Sequence, residues 1–291
     1  MTPQEYCQKT VAKSGSSFYY SFLSLKEQKR DAIIALYAYC RAVDDVVDAS
    51  AEAHIKKAKL DWWREEVNNL FQNTPQHPIT KALLPVIEHY DLAQEYFLEI
   101  LDGMEMDITI QRYASFKDLT LYCYRVASVV GLLSVGIFGY TDKNTLKYAH
   151  NLGLAFQLTN ILRDIHEDIQ HDRVYIPQDE LKRFNVDESA LRNAEYSDGF
   201  YELMKFQVER ANQYYQQAFD LLPETDRHTQ RAGLIMAAIY RALLDKITQR
   251  NYQVLSERIS LTPIRKLWIA WITQRRENAK HKMWLKQSKH G

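Results

Sequence analysis

The chain has 291 residues, 46% of them hydrophobic, which is enough for a substantial core. Its 37 basic and 37 acidic residues cancel, so no global field draws it to nucleic acid. With only 9 Gly and 7 Pro it lacks the turn formers that a sheet protein needs, and an all-α fold is expected.

Taken in chain order, apolar periodicity predicts helices over roughly residues 26–49, 51–73, 78–110, 116–139, 142–171, 188–221, 225–251 and 262–286, with PQHP at 75–78 and Pro177, Pro223 and Pro263 as punctuation. No stretch reads as a linker and no fixed-period repeat is present, so residues 1–291 are expected to form a single domain. The opening MTPQEYCQKT lacks the basic-then-apolar pattern of a signal peptide. The longest apolar run, VVGLLSVGIFG at 129–139, is about half of what spans a bilayer. Cys7, Cys40 and Cys123 are odd in number and form no Cys-x-x-Cys pair, which fits a reducing compartment; the cytoplasm is the expected location.

On the helix ending near residue 48, Ile33, Leu36, Cys40, Val43 and Val47 step by three and four as an apolar stripe. Ile34, Tyr37, Arg41, Asp44 and Asp48 form a second row about 100° round the helix. In GLAFQLTNILRDIHED, residues 153–168, the pattern repeats: Gln157, Asn160, Asp164 and Asp168 border the stripe of Leu154, Leu158, Ile161, Ile165 and Ile169. A lone pair of carboxylates at i and i+4 is more often a solvated face. Two such rows, each beside a core stripe and each with an arginine (Arg41 or Arg163), point instead to one shared cavity. Hard oxygen ligands too few to enclose an ion suit magnesium completed by water and phosphate, and the arginines suit a diphosphate. His166 and His171 are five apart without the His-Glu-x-x-His order, which speaks against zinc.

These residues carry a resemblance. DDVVD at 44–48, NILRDIHED at 160–168 and DRVYIP at 172–177, with SGSSFYYSF, ALYAYCRAVDDVVD, YCYRVASVVG and GLIMAAIYRALLDKI in order along nearly the whole chain, resemble the squalene and phytoene synthase family, which joins two prenyl diphosphates head to head. GMEMDI at 103–108 and SLTPIRKLWIAW at 260–271 are most similar to the branch of bacterial hopanoid-pathway presqualene diphosphate synthases. The resemblance implies the isoprenoid synthase fold, a helical domain around a central cavity with two aspartate-rich helices at its rim. It implies magnesium on Asp44, Asp48, Asn160, Asp164 and Asp168, with Asp45 auxiliary. It implies diphosphate contacts from Ser14, Ser17, Tyr37, Arg41, Gln157, Arg173 and Tyr240, a flap bearing Tyr175, and Tyr122 near the reacting carbons.

The activity so implied converts two farnesyl diphosphates to presqualene diphosphate, with NADPH not expected for this first half-reaction. Phytoene or dehydrosqualene synthesis, full squalene synthesis with NADPH, and a non-catalytic helical assembly factor are the alternatives; the filled acid positions favour catalysis. The small residues Ala127, Ser128, Gly131, Ser134 and Gly136 serve either close helix packing or a prenyl tail, family position favouring the tail and Ala127 and Gly131 as its wall. The segment 262–291 mixes Trp268, Trp271 and Trp284 with a basic excess; from Arg265 onward eight Lys or Arg stand against the single acid Glu277. It either caps the bundle or touches anionic lipid, giving peripheral contact at the inner face of the cell membrane. A downstream squalene-forming enzyme is the expected partner.

Overall fold

The structure is a computed structural model and describes residues 1–13, 21–22 and 24–288. Its elements are α1 (Pro3–Lys13), α2 (Glu27–Asp48), α3 (Ala53–Phe71), α4 (Pro78–Tyr90), α5 (Gln94–Thr109) and α6 (Phe116–Cys123), a π-helical turn (Tyr124–Ser128), α7 (Val129–Phe138), α8 (Asn144–Gln170), α9 (Gln178–Arg183), α10 (Glu188–Arg192), α11 (Asp198–Leu221), α12 (Glu224–Arg227), α13 (Arg231–Gln249) and α14 (Pro263–Gln287). Among the described residues there is no strand, only an isolated bridge between Arg112 and Val174.

Helix ends follow local chemistry. Ser115 and Asp118 form a reciprocal capping box at the start of α6, and Thr262 accepts from the Arg265 amide ahead of Pro263, each such cap contributing about 1 kcal/mol. The helix expected over 78–110 is two helices, because Asp91 turns into the left-handed region at φ 50°. Asp tolerates that conformation, so the break carries neither Gly nor Pro. The helix expected over 188–221 divides likewise, at Ala194, φ 54°.

The apolar stripes build two clusters. One gathers α1 to α5 around Leu36, Tyr39, Leu70, Leu83 and Phe97. The other packs α8 along α11 and α13 around Leu158, Ile161, Phe200, Tyr215 and Ile235. The path Phe116–Phe138 is long and apolar enough to cross a bilayer. Here Leu119, Cys123, Val129 and Leu133 are buried in the bundle, and Ala127, Gly131 and Ser134 line a cavity between the clusters. The small residues thus divide: Ser128 is buried and donates to the His150 carbonyl, and Gly136 packs by Leu92. At Gly153 of α8 a Cβ would lie 2.6 Å from Ser128 Cα, so only glycine admits this approach of helix to π turn.

Candidate active site

The cavity measures about 590 Å³. Tyr37, Arg41 and Asp44 from α2, Tyr122 and Ala127 from the α6 to π segment, Gly131 from α7, Gln157 and Asn160 from α8 and Tyr240 from α13 all line it. Toward the start of α8, twelve residues and about 18 Å from Asn160, Tyr148 lines the far end with Phe138 nearby in the wall. One end is therefore charged, and the remainder is mainly apolar, with Ser134, Gln230 and Tyr148 as polar exceptions.

At the polar end both acid rows sense the buried Asp107, whose charge adds to burial in raising Asp44 and Asp168 alike. Asp44 is pushed up to about 7, first by burial and then by Asp48, although its side chain keeps 40% exposure through the open cavity. Asp168 is pushed up to about 8, again by burial first and then by Asp164. Arg173, from the segment after α8, reaches Asp48 at 3.4 Å and the Val47 carbonyl at 3.2 Å, and its charge also acts on Asp168. It thus stands between the rows. Arg41 pairs with Asp44 at 3.0 Å and Asp45 at 2.5 Å. Asp164 is held by Arg163 and by Arg258, the latter at 2.9 Å.

Do these residues fit a divalent cation? Among the described residues no three acids or imidazoles close up into a ligand set of their own. The Asn160 Oδ1, however, is buried with no hydrogen-bond partner, and a carbonyl oxygen left so is costly. Together with Asp44 and Asp168 it offers oxygen-only donors of the kind a hard cation takes, with water and phosphate completing its shell. The residues fit.

Near Asp44 and Asp168 lies a cluster of which the sequence resemblance named Tyr122 and Tyr175 but not Asp107. Asp107 on α5, 7% exposed, accepts from the Tyr175 phenol at 2.6 Å and the Tyr122 phenol at 3.1 Å. Burial raises it to about 6, against those two bonds and the Arg173 charge. Tyr122 and Tyr175 stack at 5.0 Å, with Tyr113 beyond at 6.0 Å from Tyr175. Burial and then Asp107 drive the Tyr122 and Tyr175 phenols well above their ordinary range. Tyr175 is carried by the flap 172–177, pinned where the Val174 amide donates to the Gln111 carbonyl and where Arg112 bonds Asp172 and Glu188.

Arg258 and Lys266 also went unsingled, yet they line the cavity with Arg163. Burial and then the Arg163 and Arg258 charges lower the Lys266 ammonium. Neither residue sits in a periodic row beside the acids in sequence, so only the fold brings residue 258 to residue 164. Ser14 and Ser17 lie outside the described residues. Acids raised above their ordinary range, a basic cluster beside them and a largely apolar cavity suit the binding of a polyanionic head with a hydrocarbon tail.

A family model described as squalene/phytoene synthase matches residues 11–265. A 15-cis-phytoene synthase from Synechococcus elongatus is 36% identical over 275 residues, covering 90% of this chain and 89% of its own. Among solved structures, a dehydrosqualene synthase in complex with ligand superposes with a TM-score of 0.84 at 27% identity, covering 95% of this chain and 97% of its own. The squalene synthase HpnC from Alicyclobacillus acidocaldarius gives 0.78 at 27% identity, covering 86% and 94%.

Proposed function

The chain belongs to the squalene/phytoene synthase family, prenyltransferases of the isoprenoid synthase fold that join prenyl diphosphates head to head, and within it we propose that it converts two farnesyl diphosphates to presqualene diphosphate with magnesium. The observation that carries this reading is that the raised Asp44 and the orphan Asn160 oxygen line the cavity together with Arg163, Arg258 and Lys266, while the raised Asp168 lies about two turns further along the Asn160 helix. The motifs GMEMDI and SLTPIRKLWIAW support the farnesyl branch.

Asp44, Asp48, Asn160, Asp164 and Asp168 would hold the magnesium, which when bound supplies Lewis-acid neutralisation of charge on the diphosphate oxygens. Arg163, Arg258 and Lys266 share that charge as the carbon–oxygen bond of the first substrate breaks. The flap bearing Tyr175 and the buried wall exclude water, which would capture the allylic cation. The double bond of the second substrate then attacks, and loss of one proton closes the cyclopropane. The balance is two farnesyl diphosphates to presqualene diphosphate, diphosphate and a proton. No electrons are exchanged, so the step needs no NADPH. Tyr122 faces the cavity as a neutral phenol already donating to Asp107. Its oxygen accepts the proton as its own passes to that carboxylate, the released diphosphate being the other candidate base.

A second reading, two geranylgeranyl diphosphates to phytoene, is favoured by the 36% identity to a phytoene synthase. Incubation of the purified chain with labelled farnesyl or geranylgeranyl diphosphate and magnesium, with and without NADPH, separates them. Presqualene diphosphate without reductant supports the first reading. Phytoene, or squalene formed only with NADPH, replaces it. The proposed setting is the cytoplasm at the inner face of the cell membrane, with a squalene-forming enzyme as downstream partner.

A further inference from the structure

We propose that the outward face of α14 is a docking surface for an anionic lipid bilayer, placed so that the mouth of the cavity opens beside the membrane. The purpose of this surface rests on the proposed prenyl chemistry; the surface itself rests on α14.

The inner side of α14 buries Ile269, Ala270 and Glu277 against the bundle, with Glu277 paired to Arg227 at 2.7 Å. The outer side runs Ile264, Trp268, Trp271 and Arg275 at helical spacing, flanked by Leu267 and Ile272. Ile264 is 80% exposed, Trp268 58% and Trp271 52%, too much apolar and aromatic surface in one place to be scattered side chains. The Arg275 guanidinium lies 4.9 Å over the Trp271 ring, tying the aromatic patch to the basic stretch that follows with Lys282 and Lys286. Glu277 is the only acid from Ile264 to Ser288 and faces inward, so the outer side carries no negative charge.

That charge pattern selects the occupant. A second copy docking through the same face across a two-fold axis would bring basic rows together. An anionic bilayer meets the basic stretch with complementary charge and takes the tryptophans at its headgroup level. Position adds a second argument: Leu261, just before α14, and Lys266, on its first turn, line the cavity. An amphipathic product leaving there, a long hydrocarbon with a diphosphate head, emerges next to the patch and passes its hydrocarbon into lipid without crossing water.

The test uses the full chain without substrate, so it stands or falls independently of the reaction. Co-sedimentation is measured with vesicles of phosphatidylcholine alone and with added phosphatidylglycerol, at low and high salt. Binding roughly tenfold tighter to the anionic vesicles, weakened by salt, with a blue shift of tryptophan emission, is expected. Trp268→Ser with Trp271→Ser should lose roughly tenfold or more of that binding, and Arg275→Gln with Arg276→Gln should flatten its salt dependence, while turnover in detergent solution is unchanged. Equal partitioning onto both vesicles, wild-type binding by the double tryptophan variant, or a concentration-dependent dimer that this variant abolishes would overturn the proposal.

Discussion

Two kinds of carboxylate, one fully buried and one at the rim of the cavity, occupy this bundle. Asp226 is 1% exposed and accepts from the Thr141 amide and hydroxyl, the Asp142 amide and the Thr145 hydroxyl, at 2.6–2.9 Å. Burial works against its charge, but those donors outweigh burial and hold it below the ordinary carboxylate range. Asp44 and Asp168 have no comparable set of donors, face like charges, and are pushed up. A satisfied acid ties elements together, here the α7–α8 turn to α12; acids that stay raised by burial and like charge are held ready for a ligand that supplies further positive charge.

The contrast is broken most sharply by replacing the acids. Asp44→Asn and Asp168→Asn should each lower turnover by about 10³-fold while leaving helicity and thermal stability unchanged, checked by steady-state rates and circular dichroism. Near-normal activity in either would remove that residue from the site. Asp226→Ala should do the reverse. It strands buried donors at a cost of about 3 kcal/mol, read by denaturant unfolding, with kcat of the folded fraction nearly unchanged.

The acid rows were legible in the sequence because helical spacing alone sets Asp44 with Asp48 and Asn160 with Asp164 and Asp168 on one face each. The apolar stripes beside them were legible for the same reason, and Leu158, Ile161, Val43 and Val47 are buried as that spacing requires. Asp107 was not legible as a site residue, since it is one of five acids on α5, with Glu95, Glu99, Asp102 and Glu105, and acquires meaning only when the flap brings Tyr175 to it. Arg258 follows α13 in a non-helical stretch without periodicity, and its ion pair spans 94 residues of sequence. The breaks at Asp91 and Ala194 escaped because neither uses glycine or proline.

Smaller effects sharpen the comparison. Tyr122→Phe should lower kcat by about 10²-fold with little change in KM, and Asp107→Asn should lower it less while shifting the pH profile, if the phenol passes its proton to that carboxylate. A KM effect alone would assign Tyr122 to packing. Asp44 and Asp168 bind protons more tightly in the folded chain, at about 7 and about 8, than at the ordinary 3.8. The metal-free protein should therefore lose stability as pH rises across that interval. Asp226 has the opposite sign and costs stability only as pH falls below the ordinary value. Saturating magnesium with inorganic diphosphate should raise Tm by about 5 °C, more at pH 8 than at pH 5, as scanning calorimetry would show.

The most direct measurement is anomalous diffraction from crystals soaked in manganese and inorganic diphosphate. The account predicts manganese peaks between the two rows, within ligand distance of Asp44 on one side and of Asn160 or Asp168 on the other, with diphosphate density toward Arg163, Arg258 and Lys266. Ordered diphosphate with no metal peak between the rows, or peaks only on the outer surface, would contradict it.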